Sequence, residues 1–248
     1  MTEDKSPVFV ATNSLQELQE KLLYSFKDPS LLEQALTHRS FKINLPLGTW
    51  DNERLEFLGD ALMGAVFSNH LYQRFPRFSE GQLSKIRAHL VSRRTLAQVA
   101  RRLNLGSHAF LGKGESESGG KFKTSILACL FEALVAAIYL DGGWEALQDF
   151  LLRNFQEELN QSLELSRRDY KSQLQELSQG HFGTIPRYRV LQKLGSQHAP
   201  LFEVQVEING KICGQGKGKS KKEAEQEAAQ GALAELSKEL ELAEVADD

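Results

Sequence analysis

Cysteine is scarce in this chain, which has only two in 248 residues, Cys129 and Cys213. Two cysteines in unrelated segments form neither a disulfide framework nor a zinc cluster, and such usage is typical of a reducing compartment. No apolar run approaches the roughly 20 residues that a membrane helix needs. The N-terminal residues also lack the basic-then-apolar order of a secretory signal. The sequence therefore predicts a cytoplasmic protein with no membrane partner.

An excess of positive charge is also absent, because the formal net charge is −3 at pH 7. Any binding to nucleic acid must therefore depend on a local basic patch rather than on the charge of the whole molecule. The hydrophobic content of 41% and the charged content of 25% are ordinary for a globular protein. The length is sufficient for one or two domains with real cores.

Strand signals are nearly absent from residues 14–163, where apolar residues recur at three- and four-residue intervals typical of helices. Pro29 marks one helix start. Ser79 and Gln82 form a capping-box pattern, which predicts a single helix from Leu83 to Leu103. The rest of this region is predicted as a Gly- and Ser-rich loop at 112–120, helices at 123–140 and 144–163 separated by Gly142 and Gly143, and a linker at 164–168.

Residues 169–238 have a different pattern, which predicts a helix, three strands and a second helix. Apolar and polar residues alternate from Phe202 to Ile208, as in a strand with one buried face. Asn209 and Gly210 form the favoured two-residue turn, so the chain should fold back as an antiparallel strand. Ser220 with Glu223 is a second capping box. Residues 239–248 are predicted to be an acidic, frayed tail.

Three carboxylates share one face of a predicted helix in the sequence Asn52–Ala61. Glu53, Glu56 and Asp60 are spaced by three and four residues, which places them in one direction on a helix of about 3.6 residues per turn. Like charges at this distance repel. The cluster is therefore either a solvated acidic face or a cation site, and this segment alone leaves both readings open.

Glu132 lies within a helix that is apolar nearly all round, so its carboxylate is expected to be buried. An unpaired buried charge costs several kcal/mol, so Glu132 is expected to be neutralised, paired with a basic partner or bound to a metal ion. Together with Glu56 and Asp60, Glu132 favours a metal site, and an all-oxygen donor set suits Mg²⁺ or Mn²⁺ rather than Zn²⁺. His38 is interpreted as a packed or hydrogen-bonded histidine rather than a ligand.

Four segments together resemble bacterial ribonuclease III over nearly the whole chain. They are the signature Asn52–Ala61, Glu80–Ser84, Arg87–Ser92 and Glu132–Gly143. The resemblance implies an all-α N-terminal endonuclease domain at 14–163, followed by a small α+β (α-β-β-β-α) double-stranded-RNA-binding domain at 169–238. It also implies a homodimer that cuts both strands of double-stranded RNA by metal-activated water, in ribosomal RNA precursor and mRNA processing. The implied products carry 5′-phosphates, 3′-hydroxyls and short 3′ overhangs.

The resemblance also implies which residues act. Glu56, Asp60 and Glu132 correspond to metal ligands, and Asp60 with Glu132 are the expected catalytic pair. Phe57 is expected at the dimer interface, although a core position is the alternative. Glu53 and Glu80 are expected to be structural or peripheral.

Cys129 occupies the position of the fourth family ligand, which is an Asp. A thiol is a poor ligand for Mg²⁺, so we expect a weakened enzyme, with a preference for Mn²⁺ or a need for more metal. The alternative is a protein that binds double-stranded RNA and cleaves it weakly or not at all.

A basic segment, Gly214–Lys222, lies at the predicted start of the last helix. The helix dipole and the free N–H groups there favour anions, so the lysines suit phosphate binding. A nucleotide-binding P-loop is excluded, because Cys213 occupies the place of its first glycine and the preceding strand belongs to a hairpin. No nucleotide cofactor is therefore expected.

The order of elements after residue 168 resembles a double-stranded-RNA-binding domain, a module that reads the shape of the A-form duplex. By this resemblance, Lys217, Lys221 and Lys222 contact phosphates. Gln175 and Glu176 contact one minor groove and His198 the next. These residues complete the predicted RNA-binding set.

Overall fold

The computed structural model describes residues 7–44, 50–196 and 199–246, and the chain separates into two compact units between Leu163 and Glu164. The first unit is helical, and the second is an antiparallel sheet with two helices, which confirms the predicted fold class. The helices of the first unit are α1 (Pro7–Leu22), α2 (Pro29–Leu36), α3 (Glu53–Arg74), α4 (Glu80–Leu90), α5 (Arg93–Arg102), α6 (Lys113–Glu117), α7 (Thr124–Asn154) and α8 (Gln156–Arg167), which continues past the division. Short 3₁₀ turns cover Arg39–Asn44, Leu105–His108 and Gly120–Phe122.

The helix α7 forms the core of the first unit. Its residues from Ala133 to Ile138 are fully buried, with α3, α5 and α2 packed around the helix. The helix bends at Gly143, where φ is 78° and ψ is −169°, a conformation that only glycine adopts readily. By its length of 31 residues and a mean hydropathy of 1.8 over an 18-residue stretch, α7 is the one helix in the described segments that has the size and composition to cross a membrane. The core helix of a globular unit passes the same test, and α7 is such a helix.

The predicted helix from Leu83 to Leu103 is two helices, α4 and α5. The capping box that starts α4 is confirmed, since Gln82 N–H donates to Ser79 Oγ at 3.3 Å and Ser79 N–H donates to Gln82 Oε1 at 2.9 Å. The prediction missed a second cap. Ser92 Oγ accepts from Thr95 N–H at 3.2 Å and thereby starts α5 immediately after α4 ends.

The predicted loop at 112–120 contains the short helix α6. This turn is held by Lys123, whose ammonium lies 2.6 Å from the Glu115 carboxylate. The predicted helix at 144–163 is interrupted at Phe155 between α7 and α8. Residues 164–167 of the predicted linker are helical, since α8 extends through them to Arg167.

The second unit comprises α9 (Tyr170–Phe182), β1 (Arg187–Ser196), β2 (Ala199–Ile208), β3 (Lys211–Gly218) and α10 (Lys221–Ala246), with strand order β1-β2-β3. The buried apolar face of β2 is confirmed, because Val204, Val206 and Ile208 are buried, although Gln205 between them is also buried. Asn209 and Gly210 both have positive φ, 52° and 78°, as the predicted turn requires.

The helix α10 lies directly on the sheet through small residues. A Cβ at Gly216 would lie 2.3 Å from the Ala228 nitrogen, so the backbones of β3 and α10 are in contact. At the start of α10, Glu223 N–H donates to Ser220 Oγ at 3.2 Å, while the Glu223 carboxylate accepts from Lys219 N–H at 2.8 Å. The predicted tail at 239–248 is helical as far as Ala246, consistent with the high helix propensity of its Glu, Leu and Ala residues.

Candidate metal centre and nucleic-acid interface

The candidate centre forms where α3 crosses α7. A Cβ at Gly59 would lie 1.8 Å from the Glu132 carbonyl oxygen, so the two helix backbones touch and only glycine fits. Glu56 is one turn before Gly59 on α3, and Glu132 is on α7 at the contact itself. The sequence therefore brings two carboxylates from distant segments together through one glycine.

Three side chains converge at this crossing: Glu56, Cys129 and Glu132. One ligand atom from each lies within 4.8 Å of the others, and all three residues are half-buried. The Cys129 thiol donates a hydrogen bond to Glu56 Oε1, with 3.1 Å between the sulfur and the oxygen. Asp60, one turn further along α3, is exposed and lies outside this 4.8 Å group.

The electrostatics of the centre reflect crowded negative charge. Burial, together with the charges of Glu56 and Asp60, raises the pKa of Glu132 to about 7, while the charge of Arg93 opposes this shift. Burial likewise raises the pKa of the Cys129 thiol to about 12, with the hydrogen bond to Glu56 as the next cause. A cation at this crossing would relieve the repulsion between the carboxylates.

Arg93 is a site residue that the sequence analysis missed. It is exposed at the first position of α5, and its charge lowers the pKa of both Glu132 and Cys129. The signal that could have found it is the cap formed by Ser92 and Thr95, because a helix start there places Arg93 in the first turn of α5, a helix that packs against α7.

Glu53 and Glu80, the two peripheral candidates, have other contacts. Glu53 forms a 3.5 Å ion pair with Arg39, and both side chains are largely exposed. Glu80 accepts a 2.6 Å hydrogen bond from Ser84 on the same helix. Neither belongs to the 4.8 Å group of potential ligands found among the described residues.

His38 is hydrogen-bonded, as expected of a histidine that is not a ligand. Its Nδ1 lies 2.9 Å from Ser40 Oγ, and this hydroxyl oxygen accepts a hydrogen bond from Gly112 N–H at 3.0 Å. Burial lowers the pKa of His38, although the charge of Glu115 opposes this effect. These contacts join the 3₁₀ turn after α2 to the start of α6.

The donor atoms of the centre fit a hard divalent ion only in part. The carboxylates of Glu56 and Glu132 supply the oxygen ligands that Mg²⁺ and Mn²⁺ prefer, and Asp60 adds negative charge nearby. The sulfur of Cys129 does not suit Mg²⁺.

Phe57 is not in the core. Its side chain is 82% exposed, and it lines a groove of about 640 Å³ together with Trp50 and Leu140, which are 58% and 51% exposed. The core position that the sequence analysis left open for Phe57 is therefore wrong. Exposed aromatic residues around a groove are typical of a surface that another protein covers.

The basic segment of the second unit is paired with carboxylates. Lys217 Nζ lies 3.0 Å from Glu203 Oε1, and Lys221 Nζ lies 3.8 Å from Glu225 Oε1. Lys222 is exposed and lines a groove of about 530 Å³ between α9 and α10. The lysine side chains remain accessible to phosphates, since those of Lys217 and Lys221 are 60% and 62% exposed.

Gln175 and Glu176 are both exposed on α9, the first helix of the second unit. An exposed helix face of this kind is available to a groove of an RNA duplex. His198 lies outside the described residues.

Comparison with known proteins gives matches to both units. Residues 28–159 match the family described as Ribonuclease-III-like, and residues 170–236 match the family described as Double-stranded RNA binding motif. Two similar curated proteins are both named Ribonuclease 3. The protein from Dehalococcoides mccartyi is 45% identical over 221 residues, covering 88% of this chain and 93% of that protein. The protein from Protochlamydia amoebophila is 41% identical over 229 residues, covering 92% of this chain and 95% of that protein.

A solved structure is also similar to the first unit. It is the nuclease domain of ribonuclease III from Campylobacter jejuni, described as flexible in a region involved in dimer formation. The match has 42% sequence identity and a TM-score of 0.54, and it covers 58% of this chain and 97% of that one.

Proposed function

The chain belongs to the ribonuclease III family, and from this we propose that it hydrolyses double-stranded RNA at the crossing of α3 and α7, as a homodimer that requires Mg²⁺ or Mn²⁺. The general activity follows from membership: the chain is a double-stranded-RNA endoribonuclease with an attached duplex-binding module. Nucleases of this family depend on a divalent metal ion. Beyond this general activity, we propose which residues bind the metal ion and the RNA, which ion is used, and that the chain forms a homodimer.

The observation that carries the proposal is the convergence of Glu56 and Glu132 from two helices within one group of potential ligands. These two residues hold the ion, and Asp60 contributes negative charge from the solvent-exposed side of the centre. The ion, when bound, supplies Lewis-acid activation of water and stabilises charge on the phosphate. The contact between Gly59 and Glu132 keeps the two carboxylates in place, so little reorganisation is needed on binding.

Arg93 is placed to bind the scissile phosphate. It is exposed beside the carboxylates and close enough to act on their charge, so a duplex that reaches the centre meets a guanidinium there. Guanidinium groups bind phosphate oxygens in a bidentate manner. Arg93 therefore offsets the repulsion between the RNA backbone and the acidic residues.

The second unit holds the duplex. Lys217, Lys221 and Lys222 lie where the start of α10 presents N–H groups, and Gln175 and Glu176 lie exposed on α9. Phosphates compete with Glu203 and Glu225 for the first two lysines, so these ion pairs reduce the gain from each phosphate contact. We assign the minor-groove contacts to α9 and, by family resemblance, to His198.

Phe57, Trp50 and Leu140 form the dimer face. They surround one groove with exposed apolar side chains, which a second copy of the chain would bury. The Campylobacter jejuni nuclease domain has a region involved in dimer formation, which supports a dimer for this chain.

The products and setting follow the family. We propose 5′-phosphate and 3′-hydroxyl ends with short 3′ overhangs, and substrates among ribosomal RNA precursors and messenger RNAs in the cytoplasm.

Cleavage of a long purified duplex, with and without Mg²⁺, tests the proposal. Shortening of the RNA should require the ion, and Glu132→Gln should abolish it while duplex binding persists. Glu53→Gln is the matched control on α3, because Glu53 pairs with Arg39 outside the centre. Binding without metal-dependent cleavage would instead favour a weakly cleaving or non-cleaving RNA-binding protein, with Cys129 as the cause.

A further inference from the structure

The centre at the helix crossing contains one sulfur among its oxygens. Glu56 Oε1 and Cys129 Sγ are 3.1 Å apart, and a Glu132 oxygen lies within 4.8 Å of both. The sulfur is therefore inside the group that could hold an ion, not beside it. The metal dependence of the family is an independent reason to expect an ion at this crossing.

The separation of the sulfur and oxygen atoms suits an ion with tetrahedral coordination. With a metal–sulfur distance of about 2.3 Å and a metal–oxygen distance of about 2.1 Å, tetrahedral angles place a sulfur and an oxygen ligand about 3.6 Å apart. The observed 3.1 Å between Cys129 Sγ and Glu56 Oε1 is shorter than this value by only about 0.5 Å. A small side-chain rotation is enough, and a water completes the four ligands.

The chemistry of the sulfur selects the ion. Thiolate sulfur is a soft ligand, which favours Zn²⁺ and Co²⁺, whereas Mg²⁺ prefers oxygen and keeps an octahedral set of waters. Coordination replaces the S–H bond with a sulfur–metal bond, and the proton that Cys129 now donates to Glu56 is released to the solvent. No change of oxidation state is involved.

We propose that Glu56, Cys129 and Glu132 form a mixed sulfur and oxygen site that binds Zn²⁺ or Co²⁺ through the Cys129 thiolate. The site binds these ions more tightly than it binds Mg²⁺. The inference rests on the proposed location of the metal centre. The thiolate makes this centre selective for Zn²⁺ and Co²⁺, which an all-carboxylate site does not favour. Zn²⁺ consequently competes with Mg²⁺ for the nuclease centre.

The test uses Co²⁺ as a spectroscopic probe of the full-length protein, in a buffer with a non-thiol reductant. A thiolate bound to Co²⁺ has a charge-transfer absorption band in the near ultraviolet, which an all-oxygen site lacks. The chain has two cysteines, so the assignment is direct. The wild type should develop the band, and so should Cys213→Ala, since Cys213 lies in the second unit with its thiol donating to the Lys211 carbonyl.

The variants of the centre should respond differently. Cys129→Ser should lose the band and bind Co²⁺ at least about 10–100-fold more weakly, since loss of even an outer-shell partner has an effect of that size. Glu132→Gln should need more Co²⁺ to reach the same band, while Glu53→Gln should match the wild type. Stoichiometric Zn²⁺ should remove the cobalt band, and a large excess of Mg²⁺ should not.

Thermal unfolding of each variant checks that it is folded, and Cys129→Ala provides a second thiol-free variant if the serine variant is not. Absence of the band in the wild type, or a band that persists in Cys129→Ser, would overturn the proposal. Displacement of Co²⁺ by Mg²⁺ as readily as by Zn²⁺ would also overturn it. The outcome is independent of RNA cleavage in Mg²⁺, so failure here and failure of the proposed nuclease are separate results.

Discussion

Gly59 and Glu132 are in backbone contact across two helices that are far apart in the sequence. A Cβ at Gly59 would be 1.8 Å from the Glu132 carbonyl oxygen and 2.6 Å from its carbonyl carbon. The crossing of α3 and α7 is thus closer than a side chain at position 59 would allow, and this closeness places the Glu56 carboxylate beside that of Glu132.

Gly59→Ala should separate the helices and impair both stability and cleavage. Overpacking of this kind costs about 1–3 kcal/mol, and displacement of Glu56 from Glu132 should also raise the Mg²⁺ concentration needed for cleavage. Gly64→Ala is the matched control on α3, where a Cβ meets nothing within 4 Å. That variant should be neutral or gain up to about 1 kcal/mol, as alanine favours the helix. Equal unfolding free energies for the two variants, measured in denaturant, would contradict this account.

Cys129→Asp should lower the Mg²⁺ concentration at half-maximal cleavage. The substitution adds an oxygen ligand and a negative charge beside Glu56 and Glu132, which favours a hard ion. Without added divalent ion the same variant should unfold at a lower temperature than the wild type, because another carboxylate joins the cluster. Cys129→Ser controls for removal of the sulfur without added charge. If all three proteins cleave equally at limiting Mg²⁺, the fourth ligand has no importance here.

Lys221→Ala should weaken duplex binding and make it less dependent on salt. The slope of log K against log salt should decrease by about one in magnitude, as expected for loss of one phosphate contact. Lys238→Ala removes the same charge from an exposed position much further along α10, and should leave the slope unchanged. Titrations of a labelled duplex at several salt concentrations, without divalent ions to prevent cleavage, measure both slopes. Identical slopes for the two variants would remove Lys221 from the RNA interface.

Phe57→Ala should weaken self-association. The phenyl ring is 82% exposed and lies in the apolar groove with Trp50 and Leu140, so its loss removes contact area only where another molecule covers it. Phe122→Ala is the control, since Phe122 is 68% exposed and does not line this groove. Sedimentation equilibrium should give a weaker dimer for the first variant alone. A monomeric wild type at micromolar concentration would rule out the proposed dimer face.

Asp141→Asn should destabilise the first unit near neutral pH. The Asp141 carboxylate accepts from Tyr24 Oη at 2.6 Å and from the N–H groups of Lys27 and Asp28 at 3.1 and 2.8 Å. Hydrogen bonds to a charged group contribute about 1.5–3 kcal/mol each at most, so we expect a loss of about 1–3 kcal/mol.

The pH dependence of this effect has a definite sign. The hydrogen bond from Tyr24 and those from the two N–H groups hold the pKa of Asp141 below its ordinary value of 3.8, although partial burial opposes them. The stabilisation is therefore complete above that ordinary value and is lost as the pH falls through the lower folded-state value. Asp149→Asn, on an exposed position of the same helix, should show no such difference from the wild type. A stability difference for Asp141→Asn that persists at the lowest pH would show that its cause is not the charge.

Local chemistry decided which secondary structures could be predicted. The cap of Ser79 and Gln82, the turn at Asn209 and Gly210 and the buried apolar face of β2 each depend on residues a few positions apart, so the pattern alone predicted them correctly. The break between α4 and α5 was missed because apolar periodicity continues across it. A single hydrogen bond from Thr95 N–H to Ser92 Oγ marks the new start.

The sequence by itself determined the family, the two kinds of domain and the three acidic residues that suit a metal ion, because each is a local pattern of residue types. Only the tertiary structure decided that Cys129 donates to Glu56, 73 positions away, that Arg93 acts on the same carboxylates, and that Lys217 pairs with Glu203. The contacts at the metal centre depend on how closely α3 and α7 pack, and one missing Cβ, at Gly59, sets that distance. The distance between two packed helices depends on the side chains of the whole core, so no short stretch of sequence specifies it.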